Sequence, residues 1–456
     1  MSHPGWRVRL CAVSVAGVVA AGASAQTRVY LRGGTDPLPG RVVRMDAGGV
    51  TMTLTADGPG SDGAPAPARA PATTRVVSWD RVRGVEADGS RTREIPAAFS
   101  ELADSLFRAR VRLERGDIDL AAPAAERLYA RTTTFEGPSG ALLAECVLRV
   151  RLARGAHASA IEPWLHMVAA RGHGGAGSAA EAWVGGTVTL SPVVDEASGL
   201  CPALPPIFSP LRGGASLRAL VVSPLWVRPD AKSVAGDGQV RAAELAAWYR
   251  AAAGHAAGVL APLPAARDEV ADDGLELVRQ VVLSRLGSTE ERAKARASLE
   301  RRLALIVASD GSEATTVQPV NPDTTVAAGV RGRWVEAWCR AAIGLSWLRE
   351  SAHEAGSAGG TGGAATDAEG IAQQRGRAAV QLLHVPARFG AELPQLALIA
   401  LAEAAAELKA LGYTQGAAAL EDELLEADGG WAELPAGVPS APKDRSPPTV
   451  EPEKKP

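Results

Sequence analysis

Residues 110–116 read RVRLERG and residues 149–155 read RVRLARG, one substitution apart and displaced by 39 positions. A heptapeptide copied at a fixed distance constrains a chain strongly, because neighbouring copies of one supersecondary unit repeat one local geometry. Each copy closes on a glycine, Gly116 or Gly155, at the end of an apolar stripe with helical spacing. Before the first, Phe99, Leu102, Ala103, Leu106 and Phe107 predict a helix over 97–115. Before the second come Leu142, Leu143, Cys146, Val147 and Val150. Glycine closes helices readily because it enters the left-handed region without a Cβ clash. Returning helices follow, one with Ala121, Ala125, Leu128 and Tyr129, the other with Ala160, Ile161, Trp164 and Met167.

Aligned on the glycine, the correspondence extends to a third place, Gly412. Five residues after each glycine stands an alanine (Ala121, Ala160, Ala417), and twelve residues after it a large apolar residue (Leu128, Met167, Leu424). The glycine turns the chain, the alanine permits close helix approach, and the later residue seals the far end of the pair. This pattern resembles the tetratricopeptide family of helix–turn–helix repeats, over 97–171 and 395–427. WVEAWCRAAIGLSWLRE (334–350) and GRAAVQLLHV (376–385) form a further, interrupted pair. The spacing of 39 exceeds the family's period of about 34, with TTTFEGPSG (132–140) expected to absorb the surplus as a loop. The position four before each glycine holds Arg112, Arg151 or Leu408 instead of the family's aromatic residue. The resemblance implies stacked antiparallel hairpins, an α-solenoid, with a concave groove that binds a peptide or protein.

The stretch before the helices has a different period. TRVYLR (27–32), GRVVRMD (40–46), VTMTLT (50–55) and RVVSWDRVRGVE (75–86) read as short strands separated by turn signals and the Gly/Pro/Ala loop 57–72. Residues 27–86 resemble SH3-like or Sm-like small barrels, whose last strand carries a V-x-W-D-R-V pattern. Here those residues are Val77, Trp79, Asp80, Arg81 and Val82. Arg28, Arg41, Arg44, Arg75, Arg81 and Arg83 admit two readings, a basic face or a solvated sheet face balanced by Asp36, Asp46, Asp80 and Glu86, and the balance of charges favours the second.

The expected organisation is therefore mainly α with a small β module in front. A signal peptide occupies 1–25, with Arg7 and Arg9 before an apolar run (10–23) and cleavage after Ala25. The β module covers 26–95 and the first hairpins 96–171. An irregular Gly/Pro-rich segment (172–240) includes Pro202, Pro205, Pro206 and Pro210, read as an extended chain laid across the helical surface. Helices return over 241–431, at 240–258, 269–286 and 289–308 among others. Ser288 caps the third with Glu291 as its partner, and 353–370 is read as a flexible insertion. Trp334, Trp338, Ala341, Leu345 and Leu348 make a buried stripe, and 432–456 is a Pro/Lys/Glu tail expected to be disordered.

The chemistry-bearing residues form no recognisable reaction centre. The net charge of −3 argues against nucleic acid as partner. The GxGGxG run at 172–177 follows a helix, where a dinucleotide loop follows a strand. His157, His166 and His173 lack the i, i+4 spacing of a helical metal pair and are expected at the surface, while His384 is placed at a helix end. Asp268, Glu269, Asp272 and Asp273 read as charge at the start of a helix near Gly274. Cys146 and Cys339 fall on apolar helical faces, and with Cys201 they form no zinc pattern. No catalytic, cofactor-binding or metal residue is assigned. The expectation is an exported, periplasmic or secreted, non-catalytic scaffold binding a protein or peptide in the cell envelope through its groove. Two other classes stay open: an exported hydrolase-type enzyme with a site near 198–226, and a cell-wall-associated structural protein.

Overall fold

Three helix ends are built identically, and all three fall on the aligned glycines. Gly116, Gly155 and Gly412 adopt φ of +80°, +70° and +87°. Each glycine N–H donates to the carbonyl three residues back (Leu113, Leu152, Lys409), and the next N–H donates five back (Arg112, Arg151, Leu408). This paired arrangement satisfies two orphan carbonyls and reverses the chain within three residues. The computed structural model describes residues 27–38, 40–54, 73–86, 93–132, 135–171, 183–209, 214–222, 237–259, 261–265, 272–312, 332–357 and 364–428. The segments read as signal peptide, GxGGxG run and tail lie outside the described residues, as do loop 57–72, His173, Asp268 and Glu269.

The molecule is mainly helical with two small sheets. α1 (Ala97–Glu114) and α2 (Ile118–Arg131) pack together, then α3 (Gly137–Ala153) and α4 (His157–Arg171). α5 (Gly214–Val221), α6 (Asp237–Ala256), α7 (Asp273–Leu286) and α8 (Thr289–Ser312) follow. α9 (Arg333–Ser357), α10 (Ala364–Phe389), α11 (Pro394–Ala410) and α12 (Thr414–Asp428) pack in sequence. Local signals start several of these helices. Asp272 accepts from Gly274 and Leu275 at the head of α7. Ser288 and Glu291 exchange reciprocal bonds at the head of α8, as their spacing predicts. No helix among the described residues is long and apolar enough to cross a membrane.

One sheet runs β2 (Pro37–Leu38), β1 (Arg28–Leu31), β6 (Val82–Glu86); the other runs β3 (Arg41–Asp46), β4 (Gly49–Leu54), β5 (Thr73–Val77), β7 (Trp183–Val184). β7 pairs parallel with β5, so the irregular segment adds a strand to the N-terminal sheet. Residues 75–86 are two strands, not one. Trp79, Asp80 and Arg81 form the turn between β5 and β6, held by Arg81 N–H donating to Ser78 O.

Two cores meet on α3. Leu142, Leu143, Cys146, Val147 and Val150 join the sheets, α1 and α2. Ala144 and Leu148 join α4 to α11. Twelve of its seventeen residues are buried, as befits a helix apolar on all sides.

Several expectations need correction. The loop 132–140 is shorter, because Pro138 sits in the first turn of α3 and the helix starts at Gly137. Helices α9 and α10 run into the expected insertion 353–370, leaving 358–363 outside the described residues. His384 lies inside α10, which continues through Pro386 to Phe389. The proline-bearing chain 198–209 does not lie on the surface: Leu200 and Cys201 are fully buried, and Pro205, Pro206, Leu204 and Ile207 are buried beside them. The carbonyls of Gly199, Pro202, Leu204 and Phe208 accept from side chains of the surrounding helices, which offsets the penalty for burying irregular backbone. The sealing position also varies. Met167 is fully buried, whereas Leu128 and Leu424 are half-buried.

Candidate functional site

The buried chain 198–209 is the least ordinary part of the molecule. Side chains from five helices grip it. Trp164 Nε1 of α4 donates to Gly199 O at 3.2 Å, and Trp338 Nε1 of α9 to Pro202 O at 3.0 Å. The Tyr249 hydroxyl of α6 donates to Leu204 O, and Arg285 of α7 to Phe208 O at 3.0 Å. Ser209 Oγ donates to Glu403 of α11 at 2.9 Å. Four of these five bonds go to main-chain carbonyls. They hold the main-chain carbonyls of an irregular backbone, which turns at Gly199 (φ +63°) and again at Cys201–Leu204, where the Leu204 N–H donates to Cys201 O at 2.9 Å.

Where this chain enters the helical body, a cavity of about 410 Å³ opens beside it, within the range of about 300–1,000 Å³ that holds small ligands. Ser198 and Gly199 belong both to the buried chain and to the cavity wall. Three guanidiniums line it. Arg149 donates through Nε (3.0 Å) and Nη2 (2.8 Å) to Glu145 Oε1, and through Nη2 to Ser191 O. Arg171 Nη2 donates to the other oxygen of the same carboxylate at 3.1 Å. Arg241 Nε pairs with Asp272 at 2.5 Å and its Nη2 reaches Ser198 O. Asp195 Oδ2 accepts from the Ser198 N–H and hydroxyl, a local turn. Apolar walls come from Met167, Val168, Val188, Val193 and Val194.

The residues singled out in the sequence are scattered around this region. His157 is buried, with Nδ1 2.8 Å from Gly155 O, and so belongs to a hinge instead of the surface. His166 stacks on Phe135 (centroids 4.1 Å) and shares a 2.8 Å hydrogen bond with the Tyr129 hydroxyl. Burial, with Arg151 adding to it, pulls its pKa down to about 4. Burial likewise raises Glu162, one turn earlier on α4. Cys146, Cys201 and Cys339 are buried free thiols. Burial pushes Cys146 well up and takes Cys201 and Cys339 to about 12, so they act as small core residues. No group of His, Cys, Asp and Glu with metal-holding geometry exists among the described residues.

No family model, curated protein or solved structure matches the chain. The arginines of the cavity carried no sequence signal of their own. Arg149 is the first letter of the repeated heptapeptide, but Arg171 and Arg241 lie 22 and 92 positions further on and meet it only in the fold.

Proposed function

We propose that this protein is an exported, non-catalytic platform whose stacked, tetratricopeptide-like hairpins bind a peptide or protein of the cell envelope. One observation carries the reading: the helices already hold a non-helical chain, their own residues 198–209, through side-chain bonds to main-chain carbonyls. Helical stacks bind partner peptides with the same means, an apolar floor and polar groups directed at a backbone. Because that channel is filled from within, partner contact falls to the adjoining cavity and the outer faces of the stack. Export is supported by Arg7, Arg9 and the apolar run ending at Ala25.

The test is site-specific photo-crosslinking from cavity positions such as Val193 in the exporting cell. A single partner crosslinked reproducibly from the cavity, and not from the far face of α8, is the expected result. Uniform labelling from both places would defeat the reading. Detection of the protein in the cytoplasm with Met1–Ala25 still attached would defeat its export.

A further inference from the structure

Two arginines in the cavity share one carboxylate. Glu145 faces both Arg149 and Arg171, one on each oxygen. Its single charge cannot neutralise two guanidiniums. Arg241, the third, is matched by Asp272. Asp195, which accepts two bonds from Ser198, and the solvent-exposed Glu196 also line the cavity and keep their negative charges. Arg149 Nη1 and Arg171 Nε and Nη1 make no hydrogen bond with the described residues. Arg149 is largely buried, its side chain 11% exposed, and Arg171 is 35% exposed. Over the whole lining, Glu145, Asp195, Glu196 and Asp272 outnumber the three arginines, so any pull on an anion is local to the Arg149–Arg171 fork. Its open N–H donors beside Met167, Val168 and Val193 suit a planar carboxylate carried on an apolar body.

We infer that the cavity binds a peptide carboxylate, with Arg171 as its principal donor and Arg149 behind it. This deepens the platform reading and rests on it. The carboxylate sits at the arginine pair, and the apolar residue beside it lies against Met167, Val168 and Val193. The bound peptide would continue the line of the internal chain, since Ser198 and Gly199 begin that chain and border the cavity. The same chemistry can come from a chain terminus or from an acidic side chain, and the two are separable by experiment.

Three acetylated tetrapeptides of alanine, valine and leucine serve as probes in calorimetric titrations of the full chain: one with a free C-terminal carboxylate, one amidated, and one amidated with glutamate in last place. The expected result is binding of at least one carboxylate peptide at least tenfold tighter than the amide, weakening as salt rises. Preference for the free terminus assigns the site to chain ends, and preference for the glutamate to acidic side chains. Arg171→Gln is expected to erase the discrimination and leave the melting temperature unchanged, because its side chain is partly exposed. If that variant fails to fold, the amide comparison and salt dependence of the wild type decide. Equal affinity for the amide, no binding, or discrimination that survives in a folded R171Q would overturn the assignment. Partner crosslinking in the cell that persists in R171Q would retain the platform and discard the carboxylate site.

Discussion

The two copies of the heptapeptide have the same letters and opposite surroundings. In the first, Arg110 is buried and pairs with Asp80 of the β5–β6 turn (2.7 Å) and with Glu114 (3.1 Å). Glu114 in turn accepts from the Thr189 N–H and hydroxyl. Arg110 therefore joins the sheets to α1. In the second, Arg149 pairs with Glu145 of its own helix, reaches the Ser191 carbonyl of the irregular segment and borders the cavity. The next arginine diverges as well. Arg112 is exposed, with a loose 3.9 Å pair to Asp117. Arg151 holds both oxygens of Glu126 and the Ser159 carbonyl, tying α2 to α3 and α4. What the repeat encodes is the hinge; what each arginine does is set by the neighbour it meets.

The comparison can be broken most forcefully at Asp80, which is fully buried, with burial raising its pKa against the pull of Arg110 and Arg81. Asp80→Ala leaves a buried guanidinium short of a partner and should lower stability by about 3–5 kcal/mol in urea melts. Arg149→Met leaves Glu145 still paired with Arg171, so a loss of only about 1–2 kcal/mol is expected. Equal losses would mean that the two arginines are equivalent after all.

The sealing position gives the next largest contrast. Met167→Ala empties a fully buried site and should cost about 2–5 kcal/mol, whereas Leu128→Ala, half-buried, should cost about 1 kcal/mol. Thermal melts of the two variants read the difference directly.

At the hinges the copies share a backbone conformation and differ in burial, Gly116 being exposed and Gly155 buried. A Cβ at Gly116 meets nothing within 4 Å, so Gly116→Ala costs only the left-handed backbone, about 1–2 kcal/mol. Gly155 is buried, so Gly155→Ala should cost more than Gly116→Ala. Equal losses in thermal melts would mean that burial adds nothing at the second turn.

The smallest effect at neutral pH belongs to His166, present in the second hairpin without a counterpart in the first. Its folded pKa lies near 4, below the ordinary 6.5. The unfolded chain therefore binds its proton first as pH falls. The stability this contributes is complete above 6.5 and is lost between 6.5 and about 4. His166→Phe should flatten the acid limb of a plot of melting temperature against pH and leave its neutral end in place. Glu162, raised by burial, and Arg151 are common to both proteins and drop out of the comparison. An unchanged acid limb would refute the assignment.

The helical half of this fold was legible because its signals are local. Gly116, Gly155 and Gly412 end helices by their own conformational freedom, and Ser288 with Glu291 starts one through bonds three residues apart. Ala121, Ala160 and Ala417 are all buried, as their fixed offset predicts. The chain 198–209 was misplaced because its partners lie up to 194 positions away, at Glu403. Prolines announce extended backbone but say nothing of whether helices will close over it. His157 and His166 were misplaced for a related reason: neutral imidazole buries readily once a carbonyl or a tyrosine accepts its polar edge. The cavity was illegible altogether, since Arg149, Arg171 and Arg241 become neighbours only after α3, α4 and α6 pack.

The encircled chain also orders events in time. Residues 198–209 leave the ribosome well before Trp338 and Glu403, which complete their enclosure. Until then, the enclosure of Leu200, Leu204 and Ile207 is incomplete, and closing it requires contacts of long sequence separation, which are slow to form. A nascent molecule of this kind spends its early life with an apolar strip uncovered, and shortening it before α11 should yield aggregates in place of a smaller folded body.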